Sequence, residues 1–135
     1  MDLEKKLVLK STYEEVERLE GLLTTLQTHI GFNDELYARL MLTVSEAATN
    51  GIVHGNKLDK SKSLTIIATF DGAILSFTIQ DEGEGFTPSE VPNPLAEENL
   101  LKPSGRGIFL MKEYADEVLY ADGGNTLILK FEVPS

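Results

Sequence analysis

Two runs with alternating apolar residues, Leu64 to Phe70 and Ile74 to Gln80, flank the pair Asp71-Gly72. A period of two belongs to a half-buried strand, and an Asp-Gly pair tolerates the positive φ of a tight turn, so this stretch predicts a β-hairpin. A hairpin commits the chain to antiparallel pairing. The same chemistry returns at Asp122-Gly123-Gly124-Asn125, between strand-like runs at Glu117 to Ala121 and Thr126 to Val133. An antiparallel sheet built this way has an apolar face that other elements must cover.

The cover is readable upstream. Leu3, Lys5, Leu7 and Leu9 alternate with Glu4, Lys6 and Val8, which predicts a short strand suited to a sheet edge. Ser11 or Thr12 followed by Glu14 and Glu15 offers a cap and acids for a first helix, whose stripe is Val16, Leu19, Leu22, Leu23 and Leu26, ending near Gln27. Gly31 interrupts the pattern. Asn33 or Asp34 then caps a second helix that runs through Leu36, Leu40, Val44, Ala47 and Ala48 to about His54, with Gly55 and Asn56 at its exit. On that helix Leu42, Ala47 and Val53 are expected to face the core. A third, short helix from Ile108 to about Ala115 turns Ile108, Leu110 and Met111 inward. The order strand, helix, helix, hairpin, long connection, helix, hairpin predicts a two-layer α/β sandwich, with a mostly antiparallel mixed sheet and helices on one face.

With 135 residues and 41% hydrophobic content, the chain suits one domain spanning 1–135. No run approaches the roughly 18 apolar residues of a membrane span, and the start MDLEKKLVLKS lacks a signal-peptide core, so no membrane partner and a cytoplasmic location are expected. The absence of cysteine excludes disulfides, thiolate metal sites and a cysteine nucleophile, and two histidines argue against a histidine-rich metal site. Oxygen ligands remain. A formal net charge of -10 disfavours direct nucleic-acid binding, which depends on Lys and Arg neutralising phosphates. From Asp81 to Glu98 the charges are all acidic, as in a solvated loop or a docking surface for a basic partner.

Three short motifs carry chemistry. In SEAATNGIVHGN, Glu46 and Asn50 lie one helical turn apart, where they could take a proton and hold a hard cation, or form a solvated stripe or an interhelical hydrogen bond. In DEGEGF, Asp81 leaves a strand ahead of Gly83 and Gly85; this is either a turn aspartate or a carboxylate facing a niche without side chains, suited to a flat heterocycle with an exocyclic amine. In SGRGIFLM, Gly105, Arg106 and Gly107 open a helix whose N-H groups suit phosphate oxygens. The stretch Thr87 to Ser104, with prolines at 88, 92, 94 and 103, has the length of a lid. Lys102 within it could reach a phosphate or simply be solvated.

In this order and spacing, SEAATNGIVHGN, DEGEGF, GRGIFLM and the closing GGNTLILKF, the chain resembles the GHKL ATPases with their Bergerat fold, and more closely the bacterial anti-sigma-factor serine kinases. The resemblance implies ATP and Mg2+ as cofactors, Glu46 as general base and Asn50 as the Mg2+ ligand. It implies that Asp81 accepts from the adenine amine, that Gly83 and Gly85 make room for the base and that Thr126 completes the contact. Gly105, Arg106 and Gly107 would close over the phosphates. It further implies a homodimer whose partners are a sigma factor and an anti-sigma-factor antagonist protein phosphorylated on serine or threonine. An ATP-binding module without phosphoryl transfer is the alternative, and a histidine kinase acting in trans is a third.

Overall fold

The computed structural model describes residues 2–83, 111, 113–121 and 125–134. Strand β1 (Leu3–Lys10) leads through a 3-10 segment (Tyr13–Arg18) into α1 (Leu19–Ile30) and α2 (Asp34–Asn50), and α2 continues into a π turn (Gly51–Gly55). Strands β2 (Ser63–Phe70), β3 (Ile74–Gln80), β4 (Glu117–Ala121) and β5 (Thr126–Glu132) complete the described elements. The sheet order is β1-β2-β3-β5-β4, with each neighbouring pair antiparallel. Both edges are therefore β1 and β4, and β1 occupies the edge its short alternating pattern predicts.

One face of the sheet is the core. Leu64, Ile66, Ala68 and Phe70 of β2, Leu75, Phe77 and Ile79 of β3, and Leu129 and Phe131 of β5 are buried together with Leu19, Leu23 and Leu26 of α1 and Leu36, Leu40, Val44, Ala47 and Ala48 of α2. Phe77 and Phe131 meet edge to face at 6.0 Å, a contact worth about 0.5–1.5 kcal/mol beyond its buried area. Arg39 lies 6.0 Å from the Phe131 ring centre and its Nη2 donates to the Tyr114 carbonyl at 2.6 Å, which ties α2 to the chain just before β4. Of the expected third helix, Met111 and residues 113 and 114 are described as helical, and Met111 is buried as expected; Ile108 and Leu110 lie outside the described residues.

The turns follow their local chemistry. Asp71 Oδ1 accepts from the Ala73 and Ile74 N-H groups, and Gly72 takes a φ of 100°, closing the hairpin between β2 and β3. Asn33 caps α2 by accepting from Leu36 N-H at 2.8 Å. Three expectations change. The first helix was expected from Ser11 or Thr12, but residues 13–18 are 3-10 and Thr12 makes no side-chain cap. The groups that would have capped are used elsewhere: Ser11 Oγ donates to the Lys62 carbonyl, and Glu15 accepts from Lys10 N-H and from Arg18. Leu42 is 42% exposed rather than core-facing, because the buried stripe of α2 runs through 36, 40, 43, 44, 47 and 48 and leaves position 42 on the outer side. The second helix stops being α-helical at Asn50, four residues before the expected end.

Gly21 lies inside α1 with no atom within 4 Å of the Cβ it lacks. Gly21→Ala is expected to stabilise the protein by about 0.5–1 kcal/mol, read as a higher denaturation midpoint in urea with unchanged slope.

Candidate functional site

Residues four apart on a helix share a face, so α2 presents Glu46 and Asn50 together at the margin of the core, both half-buried. Thr43, Ala47 and Ala48 beside them are buried. Neither Glu46 nor Asn50 has a side-chain hydrogen-bond or ion-pair partner among the described residues. Of the alternatives left open by the sequence, an interhelical hydrogen bond is not made there.

Beyond Asn50 the helix loosens. Asn56 N-H donates to the Gly51 carbonyl at 2.8 Å, a five-residue step in place of four, and such π turns insert a residue and redirect the chain that follows. The redirected segment carries Gly55 to the end of β3. A Cβ on Gly55 would lie 2.5 Å from both Cγ and Oδ2 of Asp81, so the carboxylate rests directly against glycine backbone. Gly83 closes the other side: a Cβ there would lie 2.0 Å from the Gly55 carbonyl oxygen.

Asp81 is held at three points. Its N-H donates to the Asn125 carbonyl at 2.9 Å, extending the β3–β5 ladder by one step, and its Oδ1 accepts from Gly83 N-H at 2.8 Å. Its carboxylate faces Gly55. Burial raises its pKa above the ordinary aspartate value, with the Gly83 N-H and the Lys62 charge pulling the other way. A partly desolvated carboxylate with a remaining acceptor oxygen is suited to an N-H donor from a ligand. Thr126, buried at the start of β5, is in register with Gln80, so it and Asp81 stand at adjacent levels of neighbouring strands.

The three groups follow one another along the chain that leaves the helix: Asn50 comes one turn after Glu46, about 6 Å on helical rise, and the π turn beyond Asn50 brings Gly55 against Asp81. Glu82, the residue after Asp81, turns to the sheet: its carboxylate accepts from the Ser63 N-H at the start of β2. His54 is exposed and makes no side-chain hydrogen bond among the described residues. Gly85, Gly105, Arg106 and Gly107, with Glu84, Lys102 and the Thr87 to Ser104 stretch, lie outside the described residues.

Sequence reasoning passed over Gly55 and Asn56, reading them only as a helix exit. The available signal was a glycine immediately before a small amide at the end of the motif-bearing helix, since glycine also marks close backbone approach.

A sheet covered on one face by two helices, with a carboxylate seated against glycine backbone at the end of a central strand and oxygen donors back along the adjoining helix, makes this a two-layer α/β sandwich of the kind found in the ATPase domains. The profile of the histidine kinase-like ATPase domain matches residues 9–131, and the chain belongs to that family. Among its relatives, the anti-sigma F factor of Geobacillus stearothermophilus is 33% identical over 102 residues, covering 72% of this chain and 69% of the relative. The anti-sigma F factor of Anoxybacillus flavithermus is 37% identical over 87 residues, 63% of this chain and 59% of the relative. That of Clostridium perfringens is 36% identical over 92 residues, 64% and 66% respectively.

Membership in an ATPase family implies ATP binding, and the residues gathered here fit a nucleotide and a metal. Gly55 backbone, packed against Asp81 and against Gly83, leaves a wall without side chains for a base, and a half-buried carboxylate and amide without protein partners among the described residues are hard oxygen donors of the kind Mg2+ takes with phosphates. No helix among the described residues is long and apolar enough to cross a membrane.

Proposed function

We propose that this protein is an ATP-dependent serine/threonine kinase that phosphorylates an anti-sigma-factor antagonist and also holds a sigma factor, exchanging the two according to nucleotide state. The observation that carries the reading is that the helix bearing Glu46 and Asn50 runs through a π turn into Gly55, against which the Asp81 carboxylate rests. Asp81 accepts from the adenine amine, with Gly83, Gly85 and Thr126 shaping its surroundings. Asn50 would hold Mg2+, which when bound would neutralise charge on the phosphates. Glu46 takes the proton of the acceptor hydroxyl as the phosphoryl group moves, and Gly105, Arg106 and Gly107 close over the phosphates. The names of the relatives support the sigma-factor side of this reading. The protein acts as a homodimer, and light scattering at several concentrations tests that.

The site itself is tested by titration calorimetry with Mg-ATP on wild type, Asp81→Asn and Asn50→Ala. Losing a hydrogen bond to a charged acceptor is expected to weaken Mg-ATP about 10- to 100-fold in Asp81→Asn. The same substitution is expected to raise the Tm of the nucleotide-free protein at neutral pH. The sign follows from the raised pKa: the folded state binds the proton more tightly than the unfolded chain, so this contribution is full below the unfolded pKa and lost as pH rises through the folded one. Mg-ATP affinity runs the opposite way, because the ionised carboxylate is the stronger acceptor for the amine N-H, and it is expected to fall as pH drops through the raised pKa of Asp81. A wild-type protein that folds but takes up no Mg-ATP would remove the proposal.

A further inference from the structure

Asn56 is fully buried, and its amide is used at both ends. Nδ2 donates to Ser11 Oγ at 3.0 Å and to the Ser63 carbonyl at 3.1 Å, while Oδ1 accepts from Glu82 N-H at 2.7 Å. Ser11 Oγ passes the connection on to the Lys62 carbonyl at 2.7 Å. A single side chain therefore joins the end of β1, the start of β2, the π turn and the first residue after Asp81.

The backbone at Asn56 is held just as closely. Its N-H closes the π turn on Gly51, and its carbonyl accepts from Asp59 N-H at 3.0 Å. Lys57 and Leu58 follow with φ of 53° and 58°, two consecutive side-chain-bearing residues in the left-handed region, each costing about 1–2 kcal/mol. Such a conformation persists only when its surroundings over-determine it. Here Leu58 N-H reaches the Ile52 carbonyl at 2.8 Å, so the costly turn serves to seat Asn56 beneath the loop that leaves β3.

The bond to Glu82 N-H matters most for the site. Asp81 lies between two fixed points, the Asn125 carbonyl on its own N-H and the Asn56 amide on the next N-H. The Gly55–Gly83 contact lies beside the second point, and Gly55 immediately precedes Asn56. Releasing Glu82 N-H frees the loop to lift from Gly55 and takes the Asp81 carboxylate off the glycine backbone it rests against.

We infer that Asn56 is a positioning residue for nucleotide recognition: its Oδ1 fixes the Asp81–Gly83 loop against Gly55, and so sets the affinity for the adenine nucleotide without touching it. This rests on the reading of Asp81 as the adenine contact. Oδ1 does the positioning, whereas the two Nδ2 donations hold the strands together, and the two functions are separable by substitution.

In Asn56→Asp the acceptor for Glu82 N-H is kept and both donations are lost; in Asn56→Ala all three bonds are lost. Both variants are expected to have a lower Tm. Measured below that Tm, Asn56→Ala is expected to weaken Mg-ADP and Mg-ATP at least tenfold and to raise KM in step, with kcat at saturating nucleotide within about twofold of wild type, since the phosphate end is not moved. Asn56→Asp is expected to remain within about threefold of wild-type affinity. In an Asp81→Asn background Asn56→Ala is expected to add no further loss, because the tie acts only through that carboxylate. Equal affinities for Asn56→Ala and wild type, or full additivity with Asp81→Asn, would overturn the inference while leaving the proposed function intact; no nucleotide binding by wild type would overturn the function itself.

Should Asn56→Ala not fold, hydrogen exchange on the wild-type protein replaces it. Saturation with Mg-ADP is expected to raise protection of the Glu82 amide at least tenfold, and unchanged protection would overturn the inference.

Discussion

Glu46→Ala is expected to slow phosphoryl transfer about 10²- to 10⁴-fold, the range associated with removing a positioned general base. Glu46 is half-buried on the exposed margin of α2, has no protein partner among the described residues, and lies one turn from Asn50. Its removal therefore deletes a chemical function without opening a cavity or stranding a buried partner. Mg-ATP binding should stay within a few-fold of wild type, since the contacts at Asp81 and Asn50 are intact. Glu46→Gln keeps the shape and removes the basicity, and it should be as slow as Glu46→Ala. Single-turnover transfer to a serine-bearing antagonist protein, with phosphoserine identified by its stability to acid, reads the effect. Wild-type rates in either variant would take the role of base away from Glu46, and tight nucleotide binding with no transfer by the wild type would favour an ATP-binding module.

Gly83→Ala is expected to cost both fold and ligand. Its Cβ would lie 2.0 Å from the oxygen, 2.6 Å from the carbon and 3.0 Å from the Cα of Gly55, all backbone atoms that cannot rotate aside. The two segments must separate. Overpacking of this kind costs about 1–3 kcal/mol, and separation moves the Asp81 loop, so Mg-ATP affinity should drop by about the 10- to 100-fold expected for Asp81→Asn. Thermal denaturation and calorimetry on the same preparation read the two effects. A Gly83→Ala protein with wild-type Tm and affinity would mean that the Gly55–Gly83 contact is dispensable. The comparison with Gly21→Ala is informative, since the same added methyl group is expected to stabilise where nothing surrounds it.

Much of the fold was legible because it is specified by neighbours in sequence. Alternation predicted β1, β2 and β3 to within a residue or so, and Asp71-Gly72 placed the first hairpin through the hydrogen bonds the aspartate accepts from the N-H groups two and three residues on. The Gly31 break and the Asn33 cap divided α1 from α2 where expected. The reading failed where a side chain had a distant alternative. Ser11 looks like a helix cap from its neighbours, yet its hydroxyl is taken by Lys62 and Asn56, 51 and 45 residues away. Leu42 looks like core because it is apolar, yet the stripe that meets the sheet passes on either side of it.

The candidate site divides in the same manner. Glu46 and Asn50 on one helix face, and Asp81 at a strand end before glycine, were readable because four residues make a turn and a strand must end before its loop begins. What the sequence alone determined is this local geometry, together with the family that its order of motifs resembles. Only the tertiary structure decided that the helix loosens into a π turn, that Gly55 meets Gly83 and Asp81, and that a buried Asn56 holds Glu82 from 26 residues away. The physical reason is range. Propensity, periodicity and capping act over a few residues, whereas close backbone contact and the pairing of a buried amide depend on segments that meet only after the sheet has formed and excluded water from between them.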